Sequence, residues 1–343
     1  MTATETSTAP AATERSLSYV MAFNEAVRQC MREDADVYCA GEDIGAFGGV
    51  FGTYGGLQKE FGEMRVVDTP ISEQAIIGLG VGSSVTGLRP IVDIMFMDFI
   101  CVALDQIVNQ AAKIKYMFGG SATVPLTITT AGGGGLSAAA QHSQSLEAIL
   151  CHIPGLKVVY PSNPHDMKGL MVSCIREDNP TVMVKNKRLL GMTGVVPEEL
   201  YTVPLGVART VRPGNDLTIV TYGRMVAEVE KAAVKLAEEG IDVEIIDPRT
   251  LQPLDTDTIV TSVRRTNRAM VVHEAVRFGG IGAEIAATIQ EEAFDYLDAP
   301  VARVAAPFSP VPFSPVLEAE YFPSAKTIVA AARELFGRTP AGT

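Results

Sequence analysis

The sequence of 343 residues lacks several features, and each absence argues against a class of protein. Its 28 basic residues are outnumbered by 40 acidic ones and form no basic block, so a surface that follows nucleic-acid phosphates is not expected. No run of about 18 apolar residues occurs, which argues against a membrane-spanning helix. We therefore expect neither nucleic acid nor a membrane among the partners.

Paired cysteines are also missing. The five cysteines are scattered, odd in number and contain no Cys-x-x-Cys; they are Cys30, Cys39, Cys101, Cys151 and Cys174. Most lie in apolar segments, which is typical of buried free thiols in a reducing compartment, so a cytoplasmic protein is expected. The first fifteen residues are rich in Thr, Ala and Ser without an apolar core, which predicts a disordered tail over 1–15 rather than a secretory signal.

Motifs for catalysis without a cofactor are absent as well. The chain has no Gly-x-Ser-x-Gly, no Walker phosphate loop and no Ser-x-x-Lys. Its His, Cys and Asp residues show no spacing that would indicate a transition-metal site. Chemistry by this chain is therefore expected to need a cofactor.

What the sequence does contain is an alternation of short apolar runs and helix-like segments. This pattern is typical of α/β domains, in which helices cover both faces of a parallel sheet. A first domain is predicted over 16–190. Its predicted strands are 37–40, 65–68, 91–94, 124–129, 157–160 and 181–184, and its predicted helices are 18–32, 72–87, 98–117, 143–150 and 163–176.

A stretch rich in Gly and Pro over 191–215 is the predicted linker. Beyond it the alternation restarts, which predicts a second, smaller α/β domain over 216–338. Its predicted strands are 217–221, 243–246, 269–272 and 301–304, and its predicted helices are 223–239, 280–296 and 324–337. The fold class is therefore α/β, with two three-layer domains that each contain a parallel sheet.

Glu73 is the first candidate for chemistry. Ser72 is a good N-cap for the helix that follows, and Glu73 then occupies the first helical position, where the helix dipole favours a carboxylate. On this ground alone Glu73 could be only a stabilising end charge. It also follows a predicted strand, at the sheet edge where open α/β folds bind ligands. The residues alone leave both interpretations open.

The same helix contains Gly78, Gly80 and Gly82, which superficially resemble a dinucleotide-binding fingerprint. These glycines fall inside a helix rather than at a strand-to-helix turn, and Ser83 stands where the third glycine should be. A stand-alone nicotinamide oxidoreductase is therefore disfavoured. Small residues at this spacing are better explained by the close approach of two helices or two subunits.

Two further segments carry candidate side chains. Met95-Phe-Met-Asp-Phe99 follows a predicted strand and could either pack in the core or form an apolar shelf against a flat ring. His142 follows four consecutive glycines and precedes a predicted helix. It could transfer protons near neutral pH, or it could cap or pack. His273 ranks second among the histidines.

Together these segments resemble the beta subunit of the thiamine diphosphate-dependent first component of 2-oxo acid dehydrogenase complexes. Pyruvate, branched-chain and acetoin dehydrogenases share the pattern, and the resemblance covers residues 16–337. The matching segments are Gly41-Glu-Asp43, Arg65-Val-Val-Asp-Thr-Pro-Ile-Ser-Glu73, Gly87-Leu-Arg-Pro90, Asp105-Gln106, Asn109-Gln-Ala-Ala-Lys113, Gln141-His-Ser143, Pro154-Gly-Leu-Lys-Val158 and Asp247-Pro-Arg-Thr-Leu251.

The resemblance implies a thiamine diphosphate-binding (pyrimidine) fold followed by a transketolase C-terminal-like domain. It also implies an α2β2 heterotetramer with thiamine diphosphate between alpha and beta subunits, docked on a lipoyl acyltransferase core. Related thiamine enzymes bind Mg²⁺ and the diphosphate through a Gly-Asp-Gly…Asn motif. This chain has no Gly-Asp-Gly, which assigns that half of the cofactor site to the alpha subunit.

The resemblance assigns roles to individual residues. Glu73 matches the glutamate that hydrogen-bonds the aminopyrimidine ring of the cofactor. Phe99 matches the residue that stacks on that ring, and Met95 matches a neighbour that lines the pocket. His142 matches a histidine implicated in acyl transfer to the lipoyl group. Glu73 and His142 are therefore the expected catalytic residues.

A potassium ion is also implied, because relatives hold one through loop carbonyls. Asp is common in relatives at the position of Glu177, which a carbonyl ligand would tolerate. The matching positions are Leu126, Cys174, Ile175, Glu177 and Asn179.

The substrate remains open among three members of the family. The segments 94–99 and 306–315 look most like acetoin-type members, so acetoin is favoured over pyruvate or a branched-chain 2-oxo acid. An alternative of another class is a non-catalytic docking subunit, although the retention of Glu73, Phe99 and His142 argues against it.

Overall fold

The computed structural model of the chain describes residues 15–337. The disordered tail predicted over 1–15 lies, apart from Arg15, outside the described residues. Across residues 15–337 no helix is both long enough and apolar enough to cross a membrane.

Strands and helices alternate along most of the chain. The strands are β1 (Ser16–Ser18), β2 (Val37–Gly41), β3 (Val66–Asp68), β4 (Arg89–Phe96), β5 (Thr127–Gly132), β6 (Lys157–Val159), β7 (Thr181–Asn186), β8 (Thr193–Val195), β9 (Arg209–Arg212), β10 (Leu217–Thr221), β11 (Val243–Asp247), β12 (Thr250–Gln252), β13 (Ala269–Val276) and β14 (Ala302–Ala306). The α-helices are α1 (Tyr19–Glu33), α2 (Leu57–Phe61), α3 (Glu73–Val85), α4 (Ile114–Met117), α5 (Glu147–Cys151), α6 (Pro164–Arg176), α7 (Met225–Glu238), α8 (Thr256–Thr266), α9 (Ile281–Ala293), α10 (Pro315–Tyr321) and α11 (Ala325–Leu335).

The first of the two large sheets has seven strands, in the order β12-β6-β7-β5-β4-β2-β3. Its strands are parallel except β12, which pairs antiparallel with β6. Neighbouring residues of β4 point to opposite faces: Ile91 packs with α1 and α6, whereas Val92 packs with α3. The parallel sheet covered by helices on both faces is therefore confirmed.

The second sheet has the order β14-β13-β10-β11-β9 and is parallel except at β9. Helices α7 and α11 cover one face, and α8 and α9 cover the other. The buried apolar residues of α8 and α9 belong to the same cluster as those of α3, which covers the first sheet. The two sheets therefore share one core. The short strands β8 and β9 both fall within the segment predicted as linker.

The predicted helix over 98–117 is wrong, because this segment is divided. A 3₁₀ helix covers Met97–Ala103, a π-helical turn covers Gln106–Ala111, and α4 follows. The buried side chains of Met97, Ile100 and Ala103 recur every three residues, which is the period of a 3₁₀ helix rather than an α-helix.

Three other differences have local causes. The helix predicted from residue 143 begins only at Glu147, because the backbone of Gln144 and Leu146 is hydrogen-bonded to side chains of the Met97–Ala103 segment. Helix α8 was not predicted, although Asp255 caps it by accepting a hydrogen bond from the Thr258 amide at 3.1 Å. Strands β1, β8, β9 and β12 were also missed, because each has only one apolar residue.

Candidate functional site

Glu73 begins α3, directly after β3, at the carboxyl edge of the first sheet. Its side chain is half-buried. Ser72 occupies the N-cap position as predicted, but its side chain makes no capping hydrogen bond. Helix α3 packs against the Met97–Ala103 segment, which contains Phe99. The fold thus brings the start of α3 and the predicted aromatic segment to one edge of the sheet.

A second carboxylate, Glu42, lies within electrostatic range of Glu73 and was not predicted as a site residue. It follows β2, whose last residue Gly41 pairs with Asp68 of β3. Burial raises the pKa of Glu42, and the charge of Glu73 raises it further. Its Oε1 atom is buried without a hydrogen-bond partner. A carboxylate immediately after a wholly buried strand was the sequence signal that could have identified it.

Four aromatic side chains form a group in which Phe96 contacts the other three. The ring centroid of Phe96 lies 4.9 Å from that of His142, 5.6 Å from Phe51 and 6.0 Å from Phe99. Phe99 and His142 also meet directly, with centroids 5.3 Å apart and planes at 88°. Two residues predicted separately from the sequence are therefore in contact.

Met95 lies at the end of β4, at a register irregularity between Ile94 and Phe96. It is half-buried. Such irregularities re-aim side chains at strand ends, often beside functional sites. Phe51, by contrast, comes from the glycine-rich loop after β2, and nothing in its sequence context predicted a site.

A closed loop carries His142. The Gly133 amide donates to the Gln144 carbonyl at 3.1 Å and so joins the two ends of the loop. Asp98 accepts hydrogen bonds from the Gln144 amide at 3.2 Å and from its side-chain Nε2 at 2.8 Å. Lys187 Nζ donates to the His142 carbonyl. These contacts fix the backbone of His142 and leave its ring against the phenylalanines.

His273, ranked second among the histidines, lies elsewhere. It is buried in β13, its Nδ1 lies 3.1 Å from the Ala275 carbonyl, and its ring stacks on Tyr222. Burial lowers its pKa to about 4. A histidine with this pKa is neutral near pH 7 and is a poor proton carrier there.

The five residues matched to a potassium site lie at the opposite, amino-terminal edge of the first sheet. Leu126 and Asn179 precede β5 and β7, and the other three lie at the end of α6. The Leu126 carbonyl accepts from the Thr181 amide at 2.9 Å, and the Cys174 carbonyl accepts from the Glu177 amide at 3.2 Å. This cluster is therefore remote from Glu73 and His142.

Positive side chains already contact this cluster. Arg89 Nη1 donates to the carbonyls of Ile175 and Glu177 at 3.1 and 3.3 Å. Lys157 pairs with the Glu177 carboxylate at 2.6 Å, and Lys115 donates to Asn179 Oδ1 at 2.9 Å. A bound cation would share these oxygens with protein donors.

Comparison with known proteins agrees with this architecture. The family described as transketolase, pyrimidine binding domain matches residues 15–193, and the family described as transketolase, C-terminal domain matches residues 206–328. A solved structure described as a split gene transketolase, inactive beta4 tetramer, superposes with a TM-score of 0.78, covering 94% of this chain and 99% of its own. At 22% identity, that likeness supports the fold alone.

Curated relatives are closer in sequence. The beta subunit of acetoin:2,6-dichlorophenolindophenol oxidoreductase from Bacillus subtilis (strain 168) is 47% identical over 335 residues, covering 94% of this chain and 98% of its own. The protein of the same description from Cupriavidus necator is 48% identical, covering 93% and 97%. The pyruvate dehydrogenase E1 component subunit beta of Staphylococcus epidermidis is 44% identical, covering 92% and 98%.

Fold and site thus define a two-domain protein of the transketolase type. The chain belongs to the transketolase-like family of beta subunits, in which a pyrimidine-binding domain precedes a transketolase C-terminal domain. The resemblance inferred from the sequence and the predicted fold class are both confirmed.

Proposed function

We propose that this chain is the beta subunit of a thiamine diphosphate-dependent oxidoreductase. This enzyme would cleave acetoin, release one half as acetaldehyde and pass the other half as an acetyl unit to a lipoyl group. One observation carries the proposal: Phe99 and His142 meet at the sheet edge where Glu73 begins α3. The relatives described as acetoin oxidoreductases, at 47% and 48% identity, support acetoin as the substrate.

The residues at this edge fit half of a thiamine diphosphate molecule. An aminopyrimidine needs a carboxylate for its ring nitrogen and apolar surfaces for its faces, and Glu73, Phe99 and Met95 offer these groups. When bound, the cofactor supplies a nucleophilic carbon and holds the electron pair released when the substrate carbon–carbon bond breaks. In our proposal, the Glu73 carboxylate shares a proton with the ring nitrogen, while Phe99 and Met95 hold the ring.

His142 acts on the lipoyl group in this proposal. Acetyl transfer breaks the lipoyl disulfide: one sulfur takes the acetyl unit, and the other takes a proton. The two-carbon unit is oxidised as the disulfide is reduced, so electrons balance. The His142 imidazole would donate that proton, and its contacts with Phe96 and Phe99 would restrict the orientation of the ring.

The other half of the cofactor site is proposed to belong to an alpha subunit. This chain has no Gly-Asp-Gly sequence, so we assign Mg²⁺ and the diphosphate to the alpha chain of an α2β2 heterotetramer. The lipoyl acyltransferase core is the proposed docking partner of the second domain. A cytoplasmic location is proposed from the five free cysteines, three of them buried.

Potassium is proposed as a weak structural ligand of the cluster at Leu126, Cys174, Ile175, Glu177 and Asn179. A carbonyl oxygen has two lone pairs, so the Leu126 and Cys174 carbonyls can each accept an amide hydrogen bond and still contact a cation. The guanidinium of Arg89 competes for the Ile175 and Glu177 carbonyls. No catalytic step depends on this ion.

The test is dye-linked turnover of this chain co-purified with its alpha subunit. Acetoin, pyruvate and a branched-chain 2-oxo acid would each be supplied with and without thiamine diphosphate and Mg²⁺. Cofactor-dependent turnover that is fastest with acetoin supports the proposal. Faster turnover of pyruvate or the branched-chain acid would replace the substrate, and the relative described as a pyruvate dehydrogenase subunit makes pyruvate the second candidate. No turnover from an intact heterotetramer would favour a docking subunit.

A further inference from the structure

The glycine segment 132–135, which precedes His142, packs closely against the second domain. A Cβ atom at Gly134 would lie 2.3 Å from Cζ of Phe322, so any other residue there would displace the Phe322 ring. Gly135 has a φ of +89°, a conformation that L side chains rarely adopt. The backbone at these two positions can therefore approach the second domain directly.

Two buried carboxylates of the second domain bind the backbone amides of this segment. Glu274 Oε1 accepts from the Gly134 amide at 2.8 Å. Glu318 uses both oxygens: Oε1 accepts from the Gly135 amide at 2.7 Å, and Oε2 accepts from the Ser137 amide at 2.8 Å. Glu318 is only 3% exposed, so these charge-assisted bonds are shielded from water.

The two carboxylates differ in what else they bind. Glu274 also accepts from Asn186 at 2.8 Å and lies 3.3 Å from Arg224, so it belongs to a network between the domains. The side-chain hydrogen bonds of Glu318, by contrast, go to Gly135 and Ser137. Glu318 is therefore the carboxylate of the second domain whose side-chain hydrogen bonds go to this loop.

The His142 part of the loop packs against Phe96 and Phe99 but is separated from the second domain. A cavity of about 490 Å³ separates it from the second domain, lined by Gln141, Ser143, Phe308, Val311, Tyr321 and Phe322. Because the loop stands over open space, its position depends on hydrogen bonds at its ends. Glu274, Glu318 and Arg188 supply those bonds at the glycine end, and Asp98 and Lys187 supply them at the His142 end.

We infer that Glu318 is a positioning residue that fixes the loop carrying His142 for acyl transfer to the lipoyl group. The inference rests on the proposed function for the role of His142. A small displacement of a catalytic group can slow a reaction by about 100-fold, so loosening the loop should impair the step that uses His142. Turnover measured with a dye does not require that step and should be spared.

The experiment uses the intact heterotetramer with thiamine diphosphate and Mg²⁺. Two rates are measured with acetoin: dye reduction, and acetylation of a lipoyl domain. In Glu318→Ala, the ratio of acetylation to dye reduction should fall roughly tenfold or more. Glu318→Gln keeps one acceptor oxygen and should lower the ratio by about fivefold, as expected for one lost hydrogen bond. Glu320→Gln, at an exposed position of the same helix, is the matched control.

Equal loss of both rates, or an unchanged ratio in either Glu318 variant, would overturn the inference. If Glu318→Ala fails to assemble, the ratio in Glu318→Gln decides. A readout without activity separates this inference from the proposed function: amide hydrogen exchange over residues 133–144 should speed up in Glu318→Gln and stay unchanged in Glu320→Gln. Unchanged exchange at the loop would contradict the positioning role even if the wild-type complex had no turnover.

Discussion

The rings of Phe99 and His142 meet edge-to-face, with centroids 5.3 Å apart and planes at 88°. One residue lies in the 3₁₀ segment after β4, and the other lies in the closed loop after β5. Edge-to-face contact places the electropositive rim of one ring against the electron-rich face of the other. The contact therefore restricts the orientation of the imidazole. A fixed orientation suits a group that donates a proton in one direction.

Replacement of His142 should separate the two activities of the complex. His142→Asn removes the proposed proton donor, so acetylation of a lipoyl domain should fall by roughly 10²–10⁴-fold. Dye reduction, which bypasses the lipoyl group, should change little. The control is His152→Asn, at an exposed position. Loss of dye reduction to the same degree would show that His142 acts earlier in the reaction.

Glu147 should make stability depend on pH. It is buried in α5, accepts a hydrogen bond from the Tyr222 hydroxyl at 2.8 Å, and burial raises its pKa to about 7 from 4.5. Between these two pH values the folded protein keeps a proton that the unfolded chain releases. The free energy of unfolding therefore falls as pH rises through this window, by about 3 kcal/mol in total.

Glu147→Gln tests that dependence because glutamine has no proton to lose. The melting temperature of the variant relative to wild type should rise by roughly 5 °C between pH 5 and pH 8. Asp247 and His273 also have shifted pKa values, but they titrate in both proteins and cancel in the difference. A difference in melting temperature that is the same at both pH values would refute a shifted Glu147.

Potassium should stabilise the complex more than sodium at equal ionic strength. An ion that binds only the folded state contributes about 1–3 kcal/mol when present at ten to a hundred times its dissociation constant. The expected result is a higher melting temperature in potassium chloride, with little change in the rate of dye reduction because the cluster is remote from Glu73. Equal melting temperatures in the two salts would mean that Arg89, Lys115 and Lys157 already satisfy these oxygens.

The chain alone should bind the cofactor weakly. It offers a carboxylate and apolar surfaces for the pyrimidine but no Gly-Asp-Gly sequence for Mg²⁺ and the diphosphate. Titration calorimetry with thiamine diphosphate and Mg²⁺ should therefore show a dissociation constant at least 100-fold higher for the isolated chain than for the heterotetramer. This ratio corresponds to a difference of about 3 kcal/mol in binding free energy. Similar affinities would place the diphosphate site on this chain.

Local patterns in the sequence were sufficient for the parallel strands of the two large sheets. Continuous apolar runs such as Ile91–Ile94 correspond to strands buried on both faces, and all ten predicted strands are present. The pattern failed at Met97, Ile100 and Ala103, where a spacing of three was taken for an α-helix, and at β12, which has only one apolar residue.

The candidate site was predictable in its residue types but not in its supports. Glu73 and His142 stand out because each follows a strand at the carboxyl edge of the sheet. Glu318 could not be identified in this way, since its partners Gly135 and Ser137 are remote in sequence and meet it only once the domains pack. Glu42 lay within a matching segment, but its importance depends on the charge of Glu73 across two neighbouring strands.

The most direct test of the account is the rate of cofactor-dependent dye reduction by the heterotetramer that contains Glu73→Gln. We predict a loss of roughly 10²–10⁴-fold in kcat with acetoin, with the heterotetramer intact, because glutamine cannot share a proton with the pyrimidine ring. Glu63→Gln, at an exposed position before β3, should behave as wild type. Wild-type turnover in Glu73→Gln would contradict the central claim and leave this chain as a docking subunit.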